Sequence, residues 1–317
     1  MVTHAPLRIV FFGTPDFAVP TLSALLASRH PVVGVVTQPD RPRGRGHHVT
    51  ASPIKLLALK NALPVFQPER MKDEAFLTAL RALDADLGVV AAYGRILTDA
   101  ILAIPRLGMV NVHASLLPRW RGAAPVHRAI LAGDVESGVT IMRVVRELDA
   151  GPMLSAVRVP IGPDLSTGRL ESALAERGAT LLVECVSRLA EGPVPEEPQP
   201  ASGITYADRI TKEDAPMFWW RPAGELHNQV RALNPWPLAS TSLGGARLLI
   251  VETEIGTDAA PAGALPGTVL AAQGDGFVVA AGHGTLRLKT VKPEGKRAMA
   301  AREFLAGHRV APGTVLG

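Results

Sequence analysis

The sequence predicts an α/β domain built on a mostly parallel sheet, followed by a small barrel-like β domain. Three observations carry this. Over the first 189 residues, apolar runs of strand length alternate with amphipathic helical patterns. A proline-rich stretch follows. Beyond it, short strands are separated by glycine or proline turns.

In chain order, LRIVFFG reads as a buried strand, then a turn at Gly13-Thr14-Pro15 and a helix through TLSALLA. Pro20 fits that helix only in its first turn, where its missing N–H has no intrahelical partner to lose. PVVGVVTQ is a second strand, and residues 40–53 form a long polar loop. A helix through KLLALKNAL leads to a short strand at PVFQP. DEAFLTALRALDAD is a helix, LGVVAAYG and GMVNVHAS are strands, APVHRAILAGD is a helix, and GVTIMRVV is a strand. Such alternation indicates parallel strands covered on both faces. This places the first domain at residues 1–189. Between Leu189 and Gly203, four prolines and three glutamates predict a semi-rigid linker over 190–205. In the remainder, 206–317, ARLLIVETEI, GTVLAAQ, GFVVAAG and TLRLKTVKP are the strands of the β domain.

The 317 residues suit about two domains. With 47% hydrophobic and 20% charged residues, a soluble chain with a sizeable core is expected. The single cysteine, Cys185, excludes an intramolecular disulfide. Its place in the apolar helical pattern ATLLVECVSRLA makes it an inert core thiol, and the low cysteine count suits the cytoplasm. MVTHAPLRIVFFGTPDF lacks the pattern of a signal peptide, and no window holds the roughly 18 apolar residues of a membrane span. GTPDF after the first strand is not a dinucleotide fingerprint. No set of His, Cys and carboxylates shows ligand spacing, so no metal is expected.

GMVNVHASLLPRWRG holds the candidate chemistry. Side chains alternate along a strand, so Asn111 and His113 share one side while Val110 and Val112 face the core. In an open parallel sheet, ligands bind beyond the carboxyl ends of the strands. Pro118 and Gly122 then turn the chain and let its backbone pass close to a ligand. After the strand GVTIMRVV comes ELDAGPML, where Asp149 is placed to reach His113 and orient it. Transfer of a one-carbon acyl group between amines needs donors for the carbonyl oxygen and a group that moves a proton. One good oxyanion donor is worth roughly 3–4 kcal/mol. Acid–base assistance adds a factor of about 10² to 10⁴. Asn111, His113 and Asp149 supply these without a serine or cysteine nucleophile.

GTPDFAVPTL, TQPDRPRGRG, VVAAYGRILT, NVHASLLPRWRGAAPVHRAI and ELDAGPML resemble the methionyl-tRNA formyltransferase family, from about Leu7 to the end. The resemblance implies a Rossmann-like first domain and an OB-like second domain that helps hold tRNA. It implies 10-formyltetrahydrofolate as co-substrate, initiator methionyl-tRNA as acceptor, and a monomer. Asn111, His113 and Asp149 fall on the family's catalytic positions. Ser115, Leu116, Leu117 and Pro118 fall on its folate-site segment, with Gly122 beside them. The loop 40–53 falls on a segment that wedges at the tRNA acceptor end, with Arg41, Arg43 and above all Arg45 as contacts. NPWPL, Asn234 to Leu238, is also shared and reads as packing. Where the family often has I-D-W, this chain has Met217-Phe218-Trp219, followed by Trp220.

Charge distribution fits an RNA partner. From Arg41 to Lys60 there are three arginines, two lysines and no acid. From His283 onward seven cations face two acids, a balance of +5. Lys289, Lys292, Lys296 and Arg297 are the expected phosphate contacts there. Three alternatives remain at this point: formyl transfer to a small amine such as a glycinamide ribonucleotide or an amino sugar nucleotide, hydrolysis of a formyl-folate, and an RNA-binding module with a vestigial folate pocket. The first needs no basic β domain, the second would yield free formate, and the third needs no intact Asn–His–Asp set.

Overall fold

The computed structural model describes residues 5–43, 48–256 and 259–317. The chain forms two compact units. One takes Met1–Pro125, Glu136–Pro160 and Glu171–Ala207; the other takes Val126–Val135, Ile161–Leu170 and Asp208–Gly317.

The elements of the first half are β1 (Ile9–Gly13), α1 (Val19–Leu26), β2 (Val32–Val36), β3 (Arg41–Arg43), β4 (His48–Thr50), α2 (Pro53–Lys60), β5 (Val65–Phe66), α3 (Glu74–Ala82), β6 (Leu87–Ala91), α4 (Asp99–Leu102), β7 (Met109–His113), β8 (Arg121–Gly122), α5 (Pro125–Leu131), β9 (Glu136–Arg143), β10 (Met153–Pro160) and α6 (Thr167–Glu191). The main sheet runs β10-β9-β7-β6-β1-β2-β5. Strands β1, β2, β5, β6 and β7 are parallel, as expected of a Rossmann-like sheet. Strands β9 and β10 extend it antiparallel.

Every residue of β1 is buried, which requires cover on both faces. Val10 and Phe12 pack with Phe76, Leu77 and Leu80 of α3. Each such side chain taken out of water contributes about 1.5–3 kcal/mol before entropy is counted. Asp73 caps α3 by accepting from the N–H of Phe76, and Ser52 caps α2 by accepting from that of Lys55. Pro20 lies in the first turn of α1, as its chemistry demands. On α6, Gly178 lies so close to Val112 and Val139 that a Cβ there would sit within 2.9 Å of the former. Cys185, on the same helix, is buried, and burial raises its thiol pKa.

The shared motifs at the carboxyl edge turn out to be mutually bonded. The Tyr93 carbonyl, just past β6, accepts from the Thr14 hydroxyl past β1 and from the Gln38 amide past β2. Burial pushes the Tyr93 phenol up to about 12. The polar loop 40–53 contains a short antiparallel ribbon, β3–β4. Its base is closed by the Thr37 and Ser52 hydroxyls, 2.8 Å apart, and by Asp40, which accepts from Lys55 and Gln67. Those two donors hold the Asp40 carboxyl below its usual range. RPR and HVT are three residues each, too short and too polar to carry a strand period, so the sequence reads there as loop.

The stretch read as a linker is laid along the first unit. Glu197 pairs with Met153, Glu196 bonds to Arg143, and β11 (Tyr206–Ala207) runs parallel to β8.

The second unit contains α7 (Ala223–Ala232), β12 (Ala239–Leu243), β13 (Ala246–Ile255), β14 (Val269–Gln273), β15 (Gly276–Ala280), β16 (Thr285–Pro293), β17 (Met299–Ala300) and α8 (Ala301–Gly307). Its antiparallel sheet runs β12-β13-β16-β15-β14. Residues 314–317 close this OB-like barrel. Val269 donates to the Thr314 carbonyl, Leu316 to that of Gly267, and Ser242 to that of Gly317. Met217 and Trp219 are buried and Phe218 and Trp220 exposed, an alternation that runs into a turn at Trp219-Trp220. The Trp219 indole donates to Thr241, and Met217 donates its N–H to the Ser240 carbonyl. In NPWPL the Asn234 amide bonds to the Val251 carbonyl. Trp236 departs from the packing expected of it and remains 51% exposed.

Candidate active site

Strand β7 ends at His113, inside the sheet between β6 and β9. Asn111, half-buried, lies two residues earlier on the same strand. His113 is 5% exposed. Its Nδ1 lies 3.7 Å from Asp149 Oδ2, an ion-pair distance rather than a hydrogen bond. Its Nε2 lies 2.9 Å from the Trp120 carbonyl oxygen. A carbonyl can only accept, so Nε2 carries the hydrogen. That hydrogen must leave Trp120 before it can serve a substrate oxygen, and such tightening on ligand binding is common at catalytic sites.

Asp149 follows β9 with φ of +47°, a left-handed conformation that costs most residues about 1 kcal/mol and Asp somewhat less. Its carboxylate accepts from the Gly122 N–H at 2.8 Å. Gly122 has φ of +123°, and a Cβ there would lie 2.8 Å from the Ala207 carbonyl. Gly151 is equally constrained, since its Cβ would fall 2.0 Å from the Arg143 carbonyl. The glycine of the L-D-x-G motif is therefore required by the tight return into β10.

Ser115 is fully buried; its hydroxyl donates to the Arg119 carbonyl and its own carbonyl accepts from Thr140. The serine thus shapes the loop from within. Leu116 packs on Gly138, where a Cβ would come within 2.5 Å of its side chain. Leu117 is buried, while Pro118 and Gly122 are half-buried. Sequence reasoning did not single out Trp120, Arg121, Gln199 or Thr205. Trp120 donates its N–H to Thr205 Oγ1 at 2.9 Å, and Arg121 bonds to Gln199. Only spatial neighbourhood identifies these residues, because none carries a local chemical signature.

The chain matches the family described as Formyl transferase over residues 7–186. It matches Formyl transferase, C-terminal domain, over residues 209–309. A relative from Symbiobacterium thermophilum named Methionyl-tRNA formyltransferase is 51% identical over 309 residues, covering 97% of this chain and 94% of its own. The chain belongs to the methionyl-tRNA formyltransferase family. A relative of the same name from Methylococcus capsulatus is 50% identical over 305 residues, with 96% and 98% covered. An N-formyltransferase from Helicobacter canadensis, solved in complex with folinic acid and dTDP-3-aminofucose, matches with a TM-score of 0.67. The identity is 17%, covering 89% of this chain and 99% of the other. HypX from Aquifex aeolicus, solved with tetrahydrofolic acid, matches at TM-score 0.65 and 15% identity, covering 96% of this chain and 47% of its own. These two likenesses are of fold.

In this member of the methionyl-tRNA formyltransferase family, the basic residues differ in what they face. Arg41 is exposed on β3. Arg43 is on the same strand, and Arg45 lies outside the described residues. Lys55 is taken by Asp40. In the second unit, Arg287 pairs with Glu254 and Arg302 with Asp275. On β13, Glu254 lies opposite Arg287 and Glu252 opposite Thr290 of β16, so acids stand beside the basic strand. Lys289, Lys296 and Arg297 are exposed and Lys292 half-buried. None of these four has a carboxylate partner among the described residues. A cleft of about 820 Å³ in the second unit is lined by Phe218, Trp220, Lys212 and Arg247 among others, and holds none of the Asn–His–Asp set. No helix among the described residues is long and apolar enough to cross a membrane.

Proposed function

We propose that this protein transfers the formyl group of 10-formyltetrahydrofolate to the amino group of methionine on initiator methionyl-tRNA. The reading rests on one observation above others. At the end of β7, His113 lies 3.7 Å from Asp149 with Asn111 two residues upstream. The methionine nitrogen attacks the formyl carbon, and the carbonyl oxygen takes the negative charge. The Asn111 amide and a His113 N–H donate to that oxygen. Asp149 steadies the imidazole as it passes a proton from the attacking nitrogen toward N10 of the folate. Collapse of the tetrahedral intermediate breaks the bond to N10 and releases tetrahydrofolate and formylmethionyl-tRNA. Ser115 to Pro118 and Gly122 form the folate-side wall, Ser115 by holding the loop's shape. The relatives' name supports the acceptor.

Incubation with 10-formyltetrahydrofolate, charged initiator tRNA, glycinamide ribonucleotide and an amino sugar nucleotide tests this. Formyl is expected on the tRNA alone. Formylation of a small amine without tRNA transfer, or release of free formate, would overturn it.

Lys289, Lys292, Lys296, Arg297 and the Arg41–Arg45 segment contact tRNA phosphates in this reading. The double variant Lys296→Ala/Arg297→Ala is expected to weaken tRNA binding. The slope of log K against log salt should flatten by roughly one per lost phosphate contact. Turnover at saturating tRNA should stay near wild type. An unchanged slope would remove both residues from the interface.

A further inference from the structure

We propose that Gln199, in the proline-rich stretch after α6, is a positioning residue that holds the Asp149 loop in register with His113. The proposal rests on the reading of Asp149 as part of the transfer centre.

All four hydrogen-bonding positions of the Gln199 amide are used. Its nitrogen donates to the backbone carbonyls of Asp149 and Gly151, both at 2.8 Å. Its oxygen accepts from Arg121 Nε at 3.0 Å and Nη2 at 2.7 Å. Arg121 stands between two residues that already touch the catalytic pair. The carbonyl of Trp120 meets His113, and the N–H of Gly122 meets the Asp149 carboxylate. Three consecutive residues thus fix the imidazole and the carboxylate, and Gln199 ties the middle one to the backbone of the loop that carries the carboxylate. Asp149 adopts φ of +47°, which persists only where the surroundings over-determine it. A side chain that binds the carbonyls on either side of Ala150 provides that constraint.

The polarity of the amide is specific. A carboxylate at position 199 would keep the Arg121 contact but could donate to neither carbonyl. Its charge would instead face two carbonyl oxygens. Loss of the donors, not of the arginine contact, is what should release the loop.

Formyl transfer by the full chain, with wild type, Gln199→Ala, Gln199→Glu and Asp149→Asn, tests the inference. Gln199→Ala is expected to lower kcat by about tenfold to a hundredfold, the scale of a displacement near 1 Å. KM for tRNA and folate should stay within about twofold of wild type, as positioning acts on the reacting geometry. Gln199→Glu should be at least as impaired. In the Asp149→Asn background, Gln199→Ala should have a smaller effect, because the two act through one path. Wild-type kcat in Gln199→Ala, or recovery by Gln199→Glu, would overturn the inference. A loss carried only by KM would do the same. If Asp149→Asn itself leaves transfer intact, the reading of the transfer centre fails instead.

Discussion

His113→Ala is expected to lower kcat/KM for formyl transfer by a factor of about 10² to 10⁴, the range for losing a positioned acid–base group. The expectation follows from the burial of the ring and from its two neighbours, the Asp149 carboxylate and the Trp120 carbonyl. Alanine also removes the imidazole's part-buried hydrogen bond to that carbonyl, worth about 0.5–1.5 kcal/mol of stability. His113→Gln separates the two effects. Its amide can still donate to Trp120, yet it cannot carry a proton between nitrogens. Both variants should bind tRNA nearly as wild type does, measured by filter binding or anisotropy. Formylation at the wild-type rate by either would exclude the imidazole from the chemistry.

Asp149→Asn should lower kcat by about 10²-fold with little change in melting temperature. The substitution is unusually clean here. Asparagine tolerates the left-handed backbone that Asp149 adopts, and its amide oxygen can still accept from the Gly122 N–H. What disappears is the negative charge 3.7 Å from the ring. A large drop in melting temperature would mean that the carboxylate serves folding. An unchanged kcat would mean that the charge plays no part in proton transfer.

The elements carrying strong apolar periodicity were legible in the sequence, because burial on a sheet leaves few other residue choices. Strands β1, β2, β6, β7 and β9 and helices α1, α2 and α3 lie where the pattern puts them, and ATLLVECVSRLA forms the second half of α6, whose first half was not read. Strand β10 was missed. Only Leu154 and Val159 within it are buried, and Arg158 faces outward. Helix α7 was missed because its polar residues are buried through tertiary partners. His227 bonds to Thr253, and Gln229 to the carbonyls of Asp214 and Pro216.

At the candidate site, Asn111, His113 and Asp149 could be named because their residue types announce chemistry. The residues that support them could not. Gln199 lies among prolines and glutamates, where nothing distinguishes it from a solvated linker amide. The count of basic residues past His283 was correct as a sum. The strand pairing that sets Glu254 opposite Arg287 is invisible to a linear count. The same holds for Lys55, whose partner Asp40 lies just outside the window read as free of acids.

The closure of the barrel by residues 314–317 has a consequence for solubility. This short clasp joins the start of β14 to β12, the two ends of the sheet order. Without it, two rims of unpaired N–H and C=O groups would be open to strand addition by another molecule, a known route to aggregation. Four residues thereby occupy backbone groups at the start of β14 and on β12 that would otherwise offer an open strand edge.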